Sequence, residues 1–483
     1  MIQNKSLSRL AFNGMSWNLF TRIFSNGVQL VIYFVLARLL NPNDFGVIAI
    51  ILVFVNISNI FAIAGLGAAI IQNDVYDKEK FDTIYIVSSS LGILISVILF
   101  FLAPYIGLHY TSEFDLVFLI RISTPLIIFN SINSIQTSIL QRDLDFKTMF
   151  YVTSIPLFFS GIVSIILAYF GFGIYSLIIN NLLGSIISVV ICFLFYVPLP
   201  NFTFNIKHAT SSLNFSYKIL ITALLDELSK GFFTLSIGKY YPSNTLGNYN
   251  MGRQIPSFAS ATLNATISSV FFPFYAKRKS INIDNTFIYR KVIRVLNFIV
   301  FPCISVVILV SSDFVRMFFT EKWIGSVYYL NVFSIIFGLH HLHTKITYYI
   351  NALGHSDVTL KYEFAKKIIG VFVLIITLPI SVKAVVIGQL FVAFISIIIM
   401  FYPTKKYLEI NYWEQLSDFL PLAILNIFIF FLLSKLNIFL SLGNISLLLL
   451  PIIYIMLYIF SAFIFRMRSF KDFISLKSNF NLK

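Results

Sequence analysis

Apolar runs long enough to cross a bilayer follow one another along this chain, and that property limits the folds open to it. The segment IVSSSLGILISVILFFLAP at 86–104 is apolar on every side rather than on alternate residues. A strand of a membrane barrel alternates lipid-facing and lumen-facing residues over about ten positions, so this run suits a helix, which satisfies its own backbone hydrogen bonds in lipid. Runs bounded by charge or by Pro, Gly and Asn fall near 14–40, 45–71, 83–108, 115–140, 147–170, 174–198, 214–240, 246–273, 288–312, 326–351, 361–380, 382–403, 415–434 and 444–465. The expected fold is an all-α membrane protein of about 14 transmembrane helices, each of roughly 20 residues or more. A soluble domain is excluded, because 58% of residues are hydrophobic and only 11% charged, against about 25% charged in soluble domains. The opening MIQNKSLSRL is too polar for a signal peptide and the run after it too long, so the first run is expected to be retained.

The net charge of +15 would point to nucleic acid on a soluble protein; on this one it fits the accumulation of Lys and Arg in cytoplasmic loops, and no nucleic-acid partner is expected. With the N-terminus inside, 23 basic residues fall in inner loops and tails and six in outer loops. Both termini are therefore expected in the cytoplasm, with an even number of spans. Cys192 and Cys303 lie inside apolar runs, which leaves no disulfide framework or thiolate metal site.

The loop after the first run, Arg38-Leu-Leu-Asn-Pro-Asn-Asp-Phe-Gly46, overlays without a gap on Lys239-Tyr-Tyr-Pro-Ser-Asn-Thr-Leu-Gly247 after the seventh, at an offset of 201 residues. Each also reads as an ordinary helix stop followed by the cap of the next helix. Blocks of six helices enter a membrane in the same orientation, so the match predicts parallel repeats related by an axis along the membrane normal. The expected organisation is an N-lobe at 1–200, a C-lobe at 201–410, and two extra helices with a cytoplasmic tail at 411–483.

Ionisable residues inside spans are costly and mark function unless they pair. Arg22 lies about eight residues into the first span with Asn18, Asn26, Gln29 and Tyr33 at helical spacing. Asn56 and Asn59 give the second span a shorter polar face, Thr222, Asp226 and Lys230 line the seventh with Glu227 beside them, and Arg253, Ser257, Ser260, Asn264 and Ser268 line the eighth. The opening helix pair of each repeat thus carries polar stripes that suit a central hydrated cavity, and Arg22, Lys230 and Arg253 suit an anionic ligand. The alternatives are structural: Asp226 and Lys230 are spaced to neutralise each other, and Arg121 and Arg253 lie near enough to span ends to snorkel. His340, His341, His343 and Lys345 cluster in the tenth span, read as a polar patch or a proton-titratable group, since no further ligand there completes a metal set. The sequence has no P-loop, no GxSxG and no HExxH, so neither a catalytic device nor an ATP site is expected.

Six segments in order carry a resemblance: LARLLNPNDFG at 36–46, LQRDLDFK at 140–147, IGKYYPSNTLGNYNMGRQ at 237–254, FFPFYAKRK at 271–279, EKWIGSVYYL at 321–330 and NALGHSD at 351–357. They resemble bacterial oligosaccharide flippases of the "lipopolysaccharide biosynthesis protein" type, in the multidrug/oligosaccharidyl-lipid/polysaccharide exporter superfamily. The resemblance implies two six-helix lobes facing each other in a V and movement of a polyprenyl-pyrophosphate-linked oligosaccharide from the cytoplasmic to the periplasmic leaflet of the inner membrane, for O-antigen, capsule or exopolysaccharide. It implies membrane lipids, a polysaccharide polymerase and export machinery as partners and no cofactor. Asp226 and Glu227 are candidates for coupling to H+ or Na+ on their own chemistry, because a carboxylate desolvated in the membrane can bind and release a proton during the cycle. Substrate contacts are then expected from Arg22, Asn26, Asn56, Asn59, Lys230, Arg253 and Asn264. Lys230 stands in LLDELSKGFF, where relatives more often carry Asn or an aromatic residue. Two rivals remain: a cation-coupled multidrug exporter of the same superfamily, which calls for a carboxylate-dominated cavity, and a membrane glycosyltransferase or polymerase, which calls for large periplasmic loops.

Overall fold

The computed structural model describes residues 2–63, 65–71, 77–110, 114–196, 200–201, 203–278, 285–352, 355–440 and 445–480, and among them it is helical without strands. In chain order the helices are α1 Ile2–Leu39, α2 Pro42–Ile63, α3 Leu66–Ile71, α4 Lys78–Gly107, α5 Leu116–Ser123, α6 Pro125–Arg142, α7 Phe146–Tyr169, α8 Ile174–Ile191 and α9 Ile206–Tyr240. There follow α10 Ser243–Arg278, α11 Asn285–Phe319, α12 Ser326–Ala352, α13 Ser356–Thr377, α14 Val382–Leu408, α15 Tyr412–Ser417, α16 Leu420–Leu440, α17 Ser446–Ile464 and α18 Arg468–Phe480. Short polar side chains start several of them by accepting an otherwise unpaired backbone N–H: Asp77 from Lys80, Asp115 from Phe118, Asp145 from Thr148 and Ser381 from Ala384. The run expected as one helix at 115–140 is divided at Pro125, which has no N–H to give the carbonyl of Arg121. Thr124 Oγ1 takes that carbonyl instead, at 2.9 Å.

Ten segments of the described residues have the length and hydropathy of a membrane span, and the protein is a multi-pass membrane protein. Four more helices, α9, α10, α12 and α13, are 35, 36, 27 and 22 residues long. At about 1.5 Å per residue each exceeds the roughly 30 Å of a hydrocarbon core. Polar stripes expected to carry function lower the hydropathy of α9 and α10, the cluster at 340–345 that of α12, and Asp357, Lys361, Glu363, Lys366 and Lys367 that of α13. Outward-facing Phe101, Phe372, Ile376 and Phe428 are exposed, which costs nothing where lipid is the solvent.

By internal packing the chain forms two compact units, 1–250 and 251–483. In the first, α1 lies on α7, α7 on α8, α4 on α6, and α2 on α9. Small residues bring these helices close, and their hydroxyls bond across: Ser88 Oγ to the Ser131 carbonyl at 3.2 Å, Ser96 Oγ to that of Thr124 at 2.9 Å, Ser164 Oγ to that of Ser176 at 2.8 Å. In lipid such packing and bonding replace the hydrophobic drive between helices. Because α9 lies on α2, the first compact unit extends through the seventh long helix, beyond the repeat boundary at 200; packing and duplication divide the chain by different criteria.

The 201-residue repeat is explicit in the backbone. Helix α1 ends at Leu39 and α9 at Tyr240, while α2 starts at Pro42 and α10 at Ser243. The N–H of Leu40 bonds the Leu36 carbonyl as that of Tyr241 bonds Ile237, and Asp44 bonds Asn41 as Thr245 bonds Pro242. The two copies touch reciprocally. A Cβ on Gly46 would overlap the carbonyl oxygen of Ser243, and a Cβ on Gly247 would overlap that of Pro42. Pro42 and Ser243, like Gly46 and Gly247, are equivalent under the repeat, so one contact occurs twice with its roles exchanged.

In the second unit α11 is the central element, packed by α12, α16, α17 and α18. Phe298, Phe301, Leu309 and Val310 of α11 form one buried cluster with Leu422, Leu425, Ile429 and Leu433 of α16 and Leu450, Tyr454, Tyr458 and Ala462 of α17. Inside it Asn426 donates Nδ2 to Ser305 Oγ at 2.6 Å and accepts the Tyr454 hydroxyl at 2.6 Å. The two C-terminal long helices are thereby fastened to α11 by both packing and a satisfied polar knot.

Candidate substrate-binding site

Helix α1 is anchored on α7 through rings. Phe150 of α7 lies 5.8 Å from Trp17, 5.2 Å from Phe20 and 5.3 Å from Phe24, centroid to centroid. Arg22 is two residues from Phe20 and from Phe24, hence about 160° around a helix of 3.6 residues per turn. The aromatic side therefore fixes α1, and the opposite side presents the polar stripe. On it Arg22 is exposed and its Nε donates to Asn18 Oδ1 at 2.9 Å. Asn26 is half-buried and Gln29 exposed. The guanidinium nitrogens beyond Nε are available to a ligand while Asn18 orients the fork.

A second polar group sits where α2 meets α9. Asn56 donates Nδ2 to Glu227 Oε1 at 3.1 Å across a separation of 171 residues. One turn from Asn56, the half-buried Asn59 has a side-chain carbonyl oxygen that is buried without a hydrogen-bond partner among the described residues. A buried acceptor left open is costly, so this oxygen suits a ligand hydroxyl or water. On α9 Asp226 and Lys230 are exposed and Glu227 half-buried. The structure thus brings Asn56 and Glu227 together, a pairing that spacing within either helix does not reveal, while Arg22 is tied to Asn18 on its own helix.

Arg253 and Asn264 belong to the second unit, on α10. Arg253 is half-buried. Asn264 is taken up by neighbours: its Nδ2 donates to Ser260 Oγ at 3.2 Å, and its Oδ1 accepts Thr344 Oγ1 at 3.4 Å and Lys345 Nζ at 3.5 Å. Ser260 in turn donates to the Phe337 carbonyl of α12 at 3.3 Å. The stripe on α10 therefore serves at least partly to join α10 to α12. The side chains of Ser268 and His343 lie outside the described residues. Among the described residues no group of three or more His, Cys, Asp or Glu could hold a metal ion.

Sequence reasoning missed one constellation altogether. Arg290 and Arg294 of α11 meet Glu414 of α15, Asp418 between α15 and α16, and Asp472 of α18, at distances of 2.6 to 3.0 Å. In sequence Arg290 and Arg294 entered only the tally of basic residues in inner loops, and the three carboxylates were not singled out. The signal that could have found them is the i, i+4 spacing of Arg290 and Arg294.

Comparison with known proteins bears on what this architecture belongs to. The chain is similar to the teichuronic acid biosynthesis protein TuaB of Bacillus subtilis (strain 168), 24% identical over 369 residues that cover 74% of each chain. It is similar to the lipopolysaccharide biosynthesis protein WzxC of Escherichia coli (strain K12), 22% identical over 367 residues covering 75% of this chain and 74% of that one. Among solved structures, the lipid II flippase MurJ in an inward closed conformation matches with a TM-score of 0.71 at 14% identity, over 94% of this chain and 99% of that one. An inward-facing multidrug resistance transporter of the MATE family matches with a TM-score of 0.60 at 13% identity, over 80% and 94%. These two likenesses establish the fold. A family model described as polysaccharide biosynthesis protein matches residues 35–328, more than half of the sequence, and the chain belongs to that family.

Proposed function

We propose that this protein is a non-enzymatic flippase that moves polyprenyl-pyrophosphate-linked oligosaccharide units from the cytoplasmic to the periplasmic leaflet of the bacterial inner membrane, for O-antigen, capsule or exopolysaccharide assembly. Membership of the polysaccharide biosynthesis family is the observation that carries this reading, together with an exposed guanidinium on the polar side of α1. Its lobes follow the repeat, 1–200 and 201–410, with 411–483 appended, and transport proceeds by alternating access. Arg22, Lys230 and Arg253 attract the pyrophosphate, as guanidinium and ammonium groups do. Asn26, Asn56, Asn59 and Asn264 offer amides to sugar hydroxyls, with Asn59 Oδ1 the acceptor most in need of a donor. Asp226 and Glu227 are proposed for coupling to H+ or Na+, Glu227 being held by Asn56. Partners are membrane lipids, a polymerase and the export machinery.

The rival, a multidrug exporter, is less favoured: three cations stand against two carboxylates among the residues named, and the MurJ likeness is closer than that to the MATE transporter. Deletion of the gene tests the proposal. In a strain with no redundant flippase, surface polysaccharide is expected to be lost and lipid-linked repeat units to accumulate on the cytoplasmic leaflet. Units reaching the periplasm at the normal rate would refute it.

A further inference from the structure

A polar chain in the second unit runs from the C-terminal segment to α12. The buried carboxylate of Asp418 accepts Arg290 Nε at 2.8 Å and Nη2 at 3.1 Å, and Arg294 Nη1 at 3.0 Å. Arg294 Nε also reaches Asp472 at 2.6 Å, and Arg290 Nη1 reaches Glu414 at 2.9 Å. Asn297, one turn from Arg294 and fully buried, donates Nδ2 to the backbone oxygen of Asp418 at 3.3 Å. Its Oδ1 is thereby turned towards α12, where it lies 2.8 Å from Nε2 of the buried His341. Nδ1 of the same ring lies 2.6 Å from the Gly338 carbonyl oxygen.

Both ring nitrogens therefore face acceptors. A neutral imidazole has one N–H and one lone pair, so it satisfies one of these oxygens and sets a lone pair against the other; an imidazolium satisfies both. The inference depends on which way the Asn297 amide points. Turning it over would set its oxygen against the carbonyl oxygen of Asp418, so that neighbour fixes the orientation.

The carboxylates of Glu414, Asp418 and Asp472 are taken up by Arg290 and Arg294, and what favours an imidazolium is the pair of acceptors that its two nitrogens face. Against it stand burial, His340 beside it, and the buried Lys345 one turn along α12, whose Nζ is 3.5 Å from Asn264 Oδ1 of α10. On α13 the Glu363–Lys366 pair, 2.5 Å apart, cancels itself. On α14 the charged side chains, Lys383, Lys405 and Lys406, fall at its two ends. A proton that geometry favours and surroundings oppose is one that can be released.

We propose that His341 is a proton-binding site of the transport cycle. The imidazole takes a proton from hydronium onto its bare nitrogen, so that one N–H donates to Asn297 Oδ1 and the other to the Gly338 carbonyl, and returns it to water when α11 and α12 shift enough to break either contact. The link to transport rests on the flippase reading above; the site itself does not.

The full chain, labelled with 15N-histidine and placed in lipid nanodiscs, tests the site by NMR, with His341→Gln identifying the signals of His341. The ring is expected to carry two N–H groups at the acid end and to lose one within roughly pH 5 to 8. A singly protonated ring throughout that range overturns the proposal. Should His341→Gln fail to fold, Asn297→Leu removes one acceptor and is expected to weaken proton affinity about tenfold, as loss of one charge-assisted bond does; an unchanged titration overturns it. In proteoliposomes given a fluorescent polyprenyl-pyrophosphate-linked disaccharide, the ratio of flipping rates with and without a pH gradient is expected to fall to one in His341→Gln. A ratio kept at the wild-type value refutes the coupling role. No flipping by the wild type refutes the substrate reading and leaves the NMR titration to decide the proton site.

Discussion

Arg22 shows how far a single residue can be read in advance. Its stripe was legible because a period of 3.6 places Asn18, Arg22, Asn26 and Gln29 on one side, and the rings that hold α1 on α7 lie on the other side. Arg22→Ala is expected to abolish flipping at normal membrane levels, and Arg22→Lys to recover some of it, because the charge survives and the bidentate fork does not. The loss corresponds to about 1.5 to 3 kcal/mol of binding, roughly tenfold to a hundredfold. Quantifying lipid-linked units on each leaflet alongside protein abundance checks it; full export by a normally expressed Arg22→Ala protein would leave the charge without a role. Glu227 was legible as a carboxylate inside a span but not as the partner of Asn56, since 171 residues separate them. For the same reason periodicity placed Asn264 on a ligand-facing stripe and had no means of showing that Lys345 and Thr344 occupy its oxygen. In the Asp226→Asn, Glu227→Gln double variant, transport is expected to lose its response to an imposed pH or sodium gradient; an unchanged response excludes these two from coupling.

At the scale of elements, the bilayer made helices easy to see, because backbone groups in lipid must be satisfied within the segment. Breaks were harder: an unbroken apolar run at 115–140 concealed the division at Pro125, although proline is the residue that imposes it. The contact between the start of α2 and the start of α10 is tight enough to predict what larger side chains do there. Gly46→Val is expected to lower the thermal stability of the detergent-solubilised protein by about 1 to 3 kcal/mol, the usual cost of overpacking. Gly247→Val should cost a similar amount, since the two positions exchange roles, and thermal unfolding of each variant measures it. Asp418 joins α11 to α15 and, through Arg294, to α18. Asp418→Asn leaves the buried guanidinium of Arg294 and the half-buried one of Arg290 short of countercharge and is expected to cost about 3 to 5 kcal/mol, read as earlier tryptic cleavage at Arg466, Arg468 and Lys471.

For the molecule as a whole, the distribution of Lys and Arg carries the orientation in the membrane. Twenty-three basic residues on one side against six on the other predict both termini and the segment at 275–294, which joins the end of α10 to the start of α11, in the cytoplasm. A cysteine introduced at Ser280, outside the described residues, is expected to resist a membrane-impermeant thiol reagent in intact cells; labelling from the periplasm would overturn the topology. Composition was sufficient to reveal a membrane protein because it reports the solvent. It was insufficient to show how Arg290, Arg294, Asp418 and Asp472 come together, because partners 124 to 178 residues apart are chosen by tertiary packing.

The reciprocal contact of Gly46 and Gly247 also bears on ancestry. If a single six-helix polypeptide once paired with its own copy, one glycine codon served both sides of the interface, and any substitution there struck twice. Joining the copies into one gene separated those fates. Each half could then drift on its own, one acquiring Arg22 and the other Asp226 and Lys230, while the two glycines stayed alike because each still faces the backbone of the other's helix start.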